Sequence, residues 1–108
     1  MSDTGPQGKV DSMGIDDLLG ARREQVLRLA AKHGARNVRI FGSAARGEAD
    51  ATSDLDFLIE LEPGRNVLDM GGLLMDLQSL LGRPVDVISE KGLRPGIRAR
   101  VLREAVPL

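Results

Sequence analysis

At 108 residues the chain has room for one domain, which would bury somewhat over ~60% of the surface its unfolded chain exposes. Its net charge of -1 provides no basic field for unspecific nucleic-acid binding, and two Phe with no Trp or Tyr leave almost no platform on which bases could stack. The absence of Cys excludes disulfides and thiolate metal sites, and no apolar run approaches the ~18 residues of a membrane span, so a cytoplasmic protein is expected.

Residues 1–12 are rich in Gly, Pro, Ser and Asp and read as a disordered leader, with the domain proper expected over 13–108. From about Ile15 to Lys32, Ile15, Leu18, Leu19, Val26, Leu29 and Ala30 recur at helical spacing opposite Arg22, Arg23, Glu24 and Lys32. This predicts an amphipathic helix that stops near Gly34 and is weakened at Gly20. His33, at its end, suits the helix dipole and is read as structural.

A first strand is expected over Asn37 to Phe41, followed by a break at Gly42-Ser43, a short helix from Ala44 to Glu48 and a second strand from about Leu55 to Glu60. Side chains alternate along a strand, so Asp54 and Asp56 share one face while Leu55 and Phe57 enter the layer behind. Two like charges that close repel unless a cation lies between them, and Mg²⁺ takes carboxylates together with phosphate oxygens and water. Gly42 lets the backbone approach a ligand, and Ser43 offers a hydroxyl and neighbouring N–H groups to an anion. Arg46 can pair with a phosphate oxygen or form a surface ion pair with Glu48 or Asp50, and Ser53 can close the turn before the first carboxylate. The plainer reading of Asp54 and Asp56 is a charged edge strand that resists aggregation.

Asn66 reads as the N-cap of a helix from Val67 to Leu81, with Leu68, Leu73, Leu74, Leu77, Leu80 and Leu81 as its buried stripe and Gly82 as its stop. Gly71-Gly72 conflicts with that helix, and close packing against the sheet would explain it. A third strand over Pro84 to Ser89 puts Val85 and Val87 on one face and Asp86 and Ile88 on the other. Beside strand two, Asp86 would reach the same cluster as Asp54 and Asp56; alone in an apolar strand it would simply face solvent. Pro95 starts a last helix to about Ala105 with Ile97, Val101 and Leu102 inward. Arg94, Arg98, Arg100 and Arg103 around it form a solvated face or a contact surface for an acidic patch on a partner.

The ordered set Gly42-Ser43, two residues, Arg46-Gly47, five residues, Ser53-Asp54-Leu55-Asp56 resembles the signature of the polymerase-beta-like nucleotidyltransferases. In size the chain is similar to the minimal nucleotidyltransferases paired with HEPN-domain toxins, from roughly Ile15 to the C-terminus. The resemblance implies an α/β (α+β) fold with a small mixed sheet of about three strands flanked by helices. It also implies Mg²⁺ bound by Asp54, Asp56 and Asp86, with ATP as substrate and its phosphates seated by Gly42, Ser43, Arg46 and Ser53.

With no room expected for a second domain to recognise a small acceptor, the implied acceptor is a Tyr hydroxyl on a cognate HEPN ribonuclease toxin. That toxin is a separate chain in a hetero-oligomer, because an Arg…His ribonuclease signature is absent around the only His. The alternatives are an antitoxin that neutralises by binding alone and a small-molecule (antibiotic) nucleotidyltransferase.

Overall fold

The computed structural model describes residues 14–108, and the expected leader at 1–12 lies outside them. The predicted first helix is present but interrupted where its glycine sits. Helix α1 (Ile15–Leu19) passes through a 3-10 turn at Gly20–Arg22 into α2 (Arg23–Lys32), and Gly20 takes φ +55, which an L side chain resists. Val26 and Ala30 of α2 are buried.

Strand β1 (Ala35–Phe41) starts two residues earlier than expected, because its first part pairs with β2 across a register shift between Arg36 and Arg39. Asn37 lies at this irregularity with φ +51, and a left-handed residue hides the strand's start from a reading by alternation. Strand β2 (Leu55–Leu61) runs antiparallel to β1 and parallel to β3 (Val85–Ser89). A fourth strand, β4 (Val106–Pro107), pairs with the other edge of β1, giving the order β3-β2-β1-β4. The sequence suggested about three strands; two residues are too few to show any period.

Helix α3 (Val67–Leu81) has the expected bounds for the expected reasons. The Asn66 side chain accepts from Leu68 N–H at 2.8 Å, the Asp69 carboxylate accepts from Asn66 N–H at 2.9 Å, and Gly82 closes the helix in the left-handed region. Helix α4 (Pro95–Glu104) follows a 3-10 turn at Glu90–Gly92.

Leu55, Phe57 and Ile59 are fully buried against α2 and α3, where Val26, Ala30, Leu73 and Leu77 meet them. On the opposite face Leu58 packs with Leu93 and Val101 beneath α4. The sheet therefore has one wholly apolar face and one that α4 shares with polar residues.

Several expectations fail in instructive ways. The segment from Ala44 to Glu48 is not a helix but a run of turns, since Gly42 and Gly47 both take positive φ and the bonds Arg46 N–H to Gly42, Gly47 N–H to Ala44 and Glu48 N–H to Ser43 do not repeat at one spacing. Leu68 is 83% exposed, because at 3.6 residues per turn it lies about 180° around α3 from Leu77. Ile97, in the first turn of α4, is exposed instead of inward. Gly72 makes its close approach to the His33 ring and not to the sheet: a Cβ there would stand 2.8 Å from Cε1. His33 in turn meets Asp76, Nε2 to Oδ2 at 2.7 Å, which agrees with a structural role. Arg98 is tied to Glu90 through its Oε2 at 3.2 Å and its carbonyl at 2.8 Å, so only Arg94, Arg100 and Arg103 of the basic group remain exposed.

Candidate active site

Strand pairing brings two of the three predicted carboxylates side by side. In the parallel β2–β3 pair Asp56 stands directly opposite Asp86, which puts both side chains on the face that α4 only partly covers. Asp54 lies in the connection just before β2 and is exposed, as is Asp86, while Asp56 is half-buried. Burial pushes the Asp56 carboxyl up to about 6; the charges of Asp86 and Asp54 add to the rise, Arg46 opposes it, and Glu104 adds to it again. These groups thus share one electrostatic neighbourhood although they come from distant parts of the chain.

The glycine-serine turn adjoins them. Phe41, the last residue of β1, pairs with Asp56, so Gly42 emerges beside that carboxylate. A Cβ on Gly42 would run into Asp56 Oδ2, and its φ of +77 independently favours glycine. The following turn is pinned by two buried alanines, Ala44 and Ala49, which belong to the main core. Ser43, just before the first of them, is half-buried, and its carbonyl accepts from Glu48 N–H at 2.8 Å.

Arg46 forms the ion pair expected of it, together with a second that the sequence does not show. Its Nε donates to Glu48 at 2.9 Å, the ion pair foreseen from sequence, and its Nη1 donates to Glu104 Oε1 at 2.9 Å. The same Glu104 oxygen accepts from Gly42 N–H at 2.7 Å. Glu104, the last residue of α4, is therefore built into the site, and no motif marked it. Ser53 closes its turn as expected: its hydroxyl accepts from Asp50 N–H at 2.9 Å and donates to Asp50 Oδ1 at 3.1 Å. Bonds from the Thr52 hydroxyl and N–H and from Ser53 hold the Asp50 carboxyl below its ordinary value. Arg83, also unmarked in the sequence, braces the loop from the connection between α3 and β3 by donating to the Asp50 and Ser53 carbonyls at 3.2 and 3.0 Å. The Asp50-Ala-Thr-Ser sequence carries the signal for this Asx-type turn.

Among the described residues no three acidic or imidazole side chains are already drawn to a single cation-binding point. The donor chemistry nevertheless fits Mg²⁺: three carboxylates adjoin, one is held partly out of water, and the guanidinium that opposes it is already shared between Glu48 and Glu104.

A family model described as the nucleotidyltransferase domain matches residues 22–108. The protein adenylyltransferase MntA of Thermococcus cleftensis is 37% identical over 92 residues, spanning 85% of this chain and 90% of that protein. A Methanocaldococcus jannaschii protein provisionally named a protein adenylyltransferase is 38% identical over 84 residues, spanning 78% and 90%. A solved structure provisionally called a minimal nucleotidyltransferase is 58% identical, with a TM-score of 0.76 over 83% of this chain and 92% of that one. The crystal structure of a toxin-antitoxin with AMP-PNP shares the fold at 17% identity, with a TM-score of 0.68 over 78% of this chain and 69% of that one. The chain belongs to the nucleotidyltransferase domain family, and within it to the minimal nucleotidyltransferases, transferases similar to the protein adenylyltransferases.

Proposed function

We propose that this chain is an antitoxin that transfers AMP from ATP to a tyrosine hydroxyl of a cognate HEPN ribonuclease toxin, a separate cytoplasmic chain with which it forms a hetero-oligomer. The observation that carries the catalytic part is the register of Asp56 against Asp86 beside Gly42, whose positive φ and close approach to Asp56 favour glycine. The toxin partner is supported by the names of similar proteins, an adenylyltransferase MntA among the relatives and a toxin-antitoxin among the structures of the same fold.

In the reaction the acceptor oxygen forms a bond to the α-phosphorus as the bond from that phosphorus to pyrophosphate breaks. Asp54, Asp56 and Asp86 would hold Mg²⁺, which when bound neutralises charge on the triphosphate and on the departing pyrophosphate. Asp86 is exposed, and we assign it to take up the proton of the incoming hydroxyl. Gly42 N–H is taken by Glu104, so Gly42 serves by letting the turn come close to the outer phosphates; Ser43 offers its hydroxyl to them, and Arg46 adds positive charge beside them. Ser53 holds the loop that presents Asp54 and, through that loop, the nucleotide side of the cluster. Most of the rate enhancement then comes from positioning and preorganised charge. Residues 13–108 act as one nucleotidyltransferase domain.

Incubating the purified protein with the product of the adjacent gene, Mg²⁺ and ATP, then weighing that product by mass spectrometry, tests the proposal. AMP-sized increments on a Tyr are expected. A tight complex with no change in mass would leave only neutralisation by binding.

A further inference from the structure

The residue that most needs an explanation is Glu104. Its side chain is only 18% exposed and lies in a neighbourhood that already holds Asp54, Asp56 and Asp86, where another negative charge is unfavourable. Two donors offset that repulsion: Gly42 N–H at 2.7 Å and Arg46 Nη1 at 2.9 Å, both on one carboxylate oxygen. Its carrier is firm as well. Ala105 N–H bonds to the Val101 carbonyl, Val101 is buried against Leu58, and Val106 pairs with Ile40 of β1 two residues before Gly42.

We propose that Glu104 is a positioning residue for the nucleotide's phosphates: its single oxygen fixes the backbone of Gly42 and the guanidinium of Arg46, and so sets the turn that presents Ser43. This rests on the nucleotidyl reading of the site. Arg46 is held at Nε by Glu48 and at Nη1 by Glu104, which leaves Nη2 for a phosphate oxygen and removes the rotational freedom that binding would otherwise have to quench. Glu104 itself touches neither phosphate nor metal in this account. A carboxylate in this place is conspicuous because a merely structural acceptor for Gly42 would avoid adding charge to an acidic cluster; pairing with Arg46 is what requires it.

The test compares Glu104→Ala and Glu104→Gln with the wild type, using a non-hydrolysable ATP analogue with Mg²⁺ in calorimetry and ATP in steady-state transfer. Removal of the side chain should weaken nucleotide binding and raise KM for ATP about tenfold, with a smaller fall in kcat, the pattern of lost ground-state positioning. Glu104→Gln keeps an oxygen for Gly42 N–H and should recover a few-fold of that loss. In amide-resolved NMR, Gly42 and Arg46 signals should broaden or multiply in the Ala variant while those of Phe57 and Leu73 stay put. Wild-type-like nucleotide affinity in Glu104→Ala overturns the proposal, as does a loss that follows the melting temperature equally in Ala and Gln variants with core signals displaced. Failure of the wild type itself to bind the analogue would sink the nucleotidyl reading, and this inference with it, whereas binding by the wild type and both variants alike sinks this inference alone.

Discussion

The two faces of the sheet obey opposite rules. Behind it, Leu55, Phe57 and Ile59 pack with the buried apolar residues of α2 and α3, and burial of that surface adds to stability. In front, beyond the patch where Leu58 meets Leu93 and Val101, the same strand carries Asp56 opposite Asp86, an arrangement that opposes folding unless something neutralises it. The strand thus carries, one residue from fully buried Leu55 and Phe57, a carboxylate whose like-charged neighbour strains the fold. A protein keeps such a face only where its use repays the loss of stability.

That contrast predicts substitutions with opposite signatures. Asp54→Asn with Asp56→Asn should lower transfer at saturating ATP by on the order of 10³-fold or more, while leaving the melting temperature equal to or above the wild type because repulsion is relieved. Activity within a few-fold of wild type in that double variant, measured by the mass of the acceptor, would remove the carboxylates from the mechanism. On the other face Phe57→Ala should cost about 3–5 kcal/mol of unfolding free energy in denaturant titration, the loss expected of a fully buried aromatic. Gly42→Ala joins the two faces' problems: its positive φ costs about 1–2 kcal/mol, and its Cβ displaces the Asp56 carboxylate, so stability and transfer should both fall. If Gly42→Ala lost stability with unchanged transfer, the close approach of turn and carboxylate would not matter to the chemistry.

How much of this was legible before the fold was seen follows from the range of the interactions involved. The bounds of α3 rest on Asn66, Asp69 and Gly82, all local, and they came through intact. The pairing of Asp56 with Asp86 stayed conditional in the sequence: alternation assigns Asp86 a face of its strand, but which strand lies beside it is set by the sheet, which puts β3 next to β2. Glu104 was invisible, since its partners Gly42 and Arg46 lie 62 and 58 residues away and nothing near Glu104 in sequence announces them. The turn after Gly42 looked helical because Ala44, Ala45 and Glu48 are good helix formers; two buried alanines and two positive-φ glycines overrule that preference. Leu68 is a leucine in a leucine-rich helix, and only its angular position, on the far side from Leu77, shows that it is exposed.

The gentlest way to separate the faces is to titrate one of them. Asp56 keeps its proton in the folded protein up to about pH 6, while in the unfolded chain it gives it up near the ordinary value of 3.8. Between those values the folded state binds more protons than the unfolded one, so the contribution of Asp56 to stability falls as pH rises through the window. Asp50, Asp69 and Asp76 have carboxyls held below the ordinary 3.8, so they stabilise above that value and lose the effect as pH drops below it. The two windows hardly overlap. In the presence of a chelator, therefore, the difference in melting temperature between Asp56→Asn and wild type should be smallest near pH 4, grow toward pH 6 and level off above it. Added Mg²⁺ at pH 7 should then close that gap by stabilising the wild type alone, because the cation binds the charged carboxylates and not the amide. A gap that stays constant from pH 4 to 7 would mean that Asp56 is as well solvated as any surface aspartate, and the front of the sheet would lose the strain that marks it as a site.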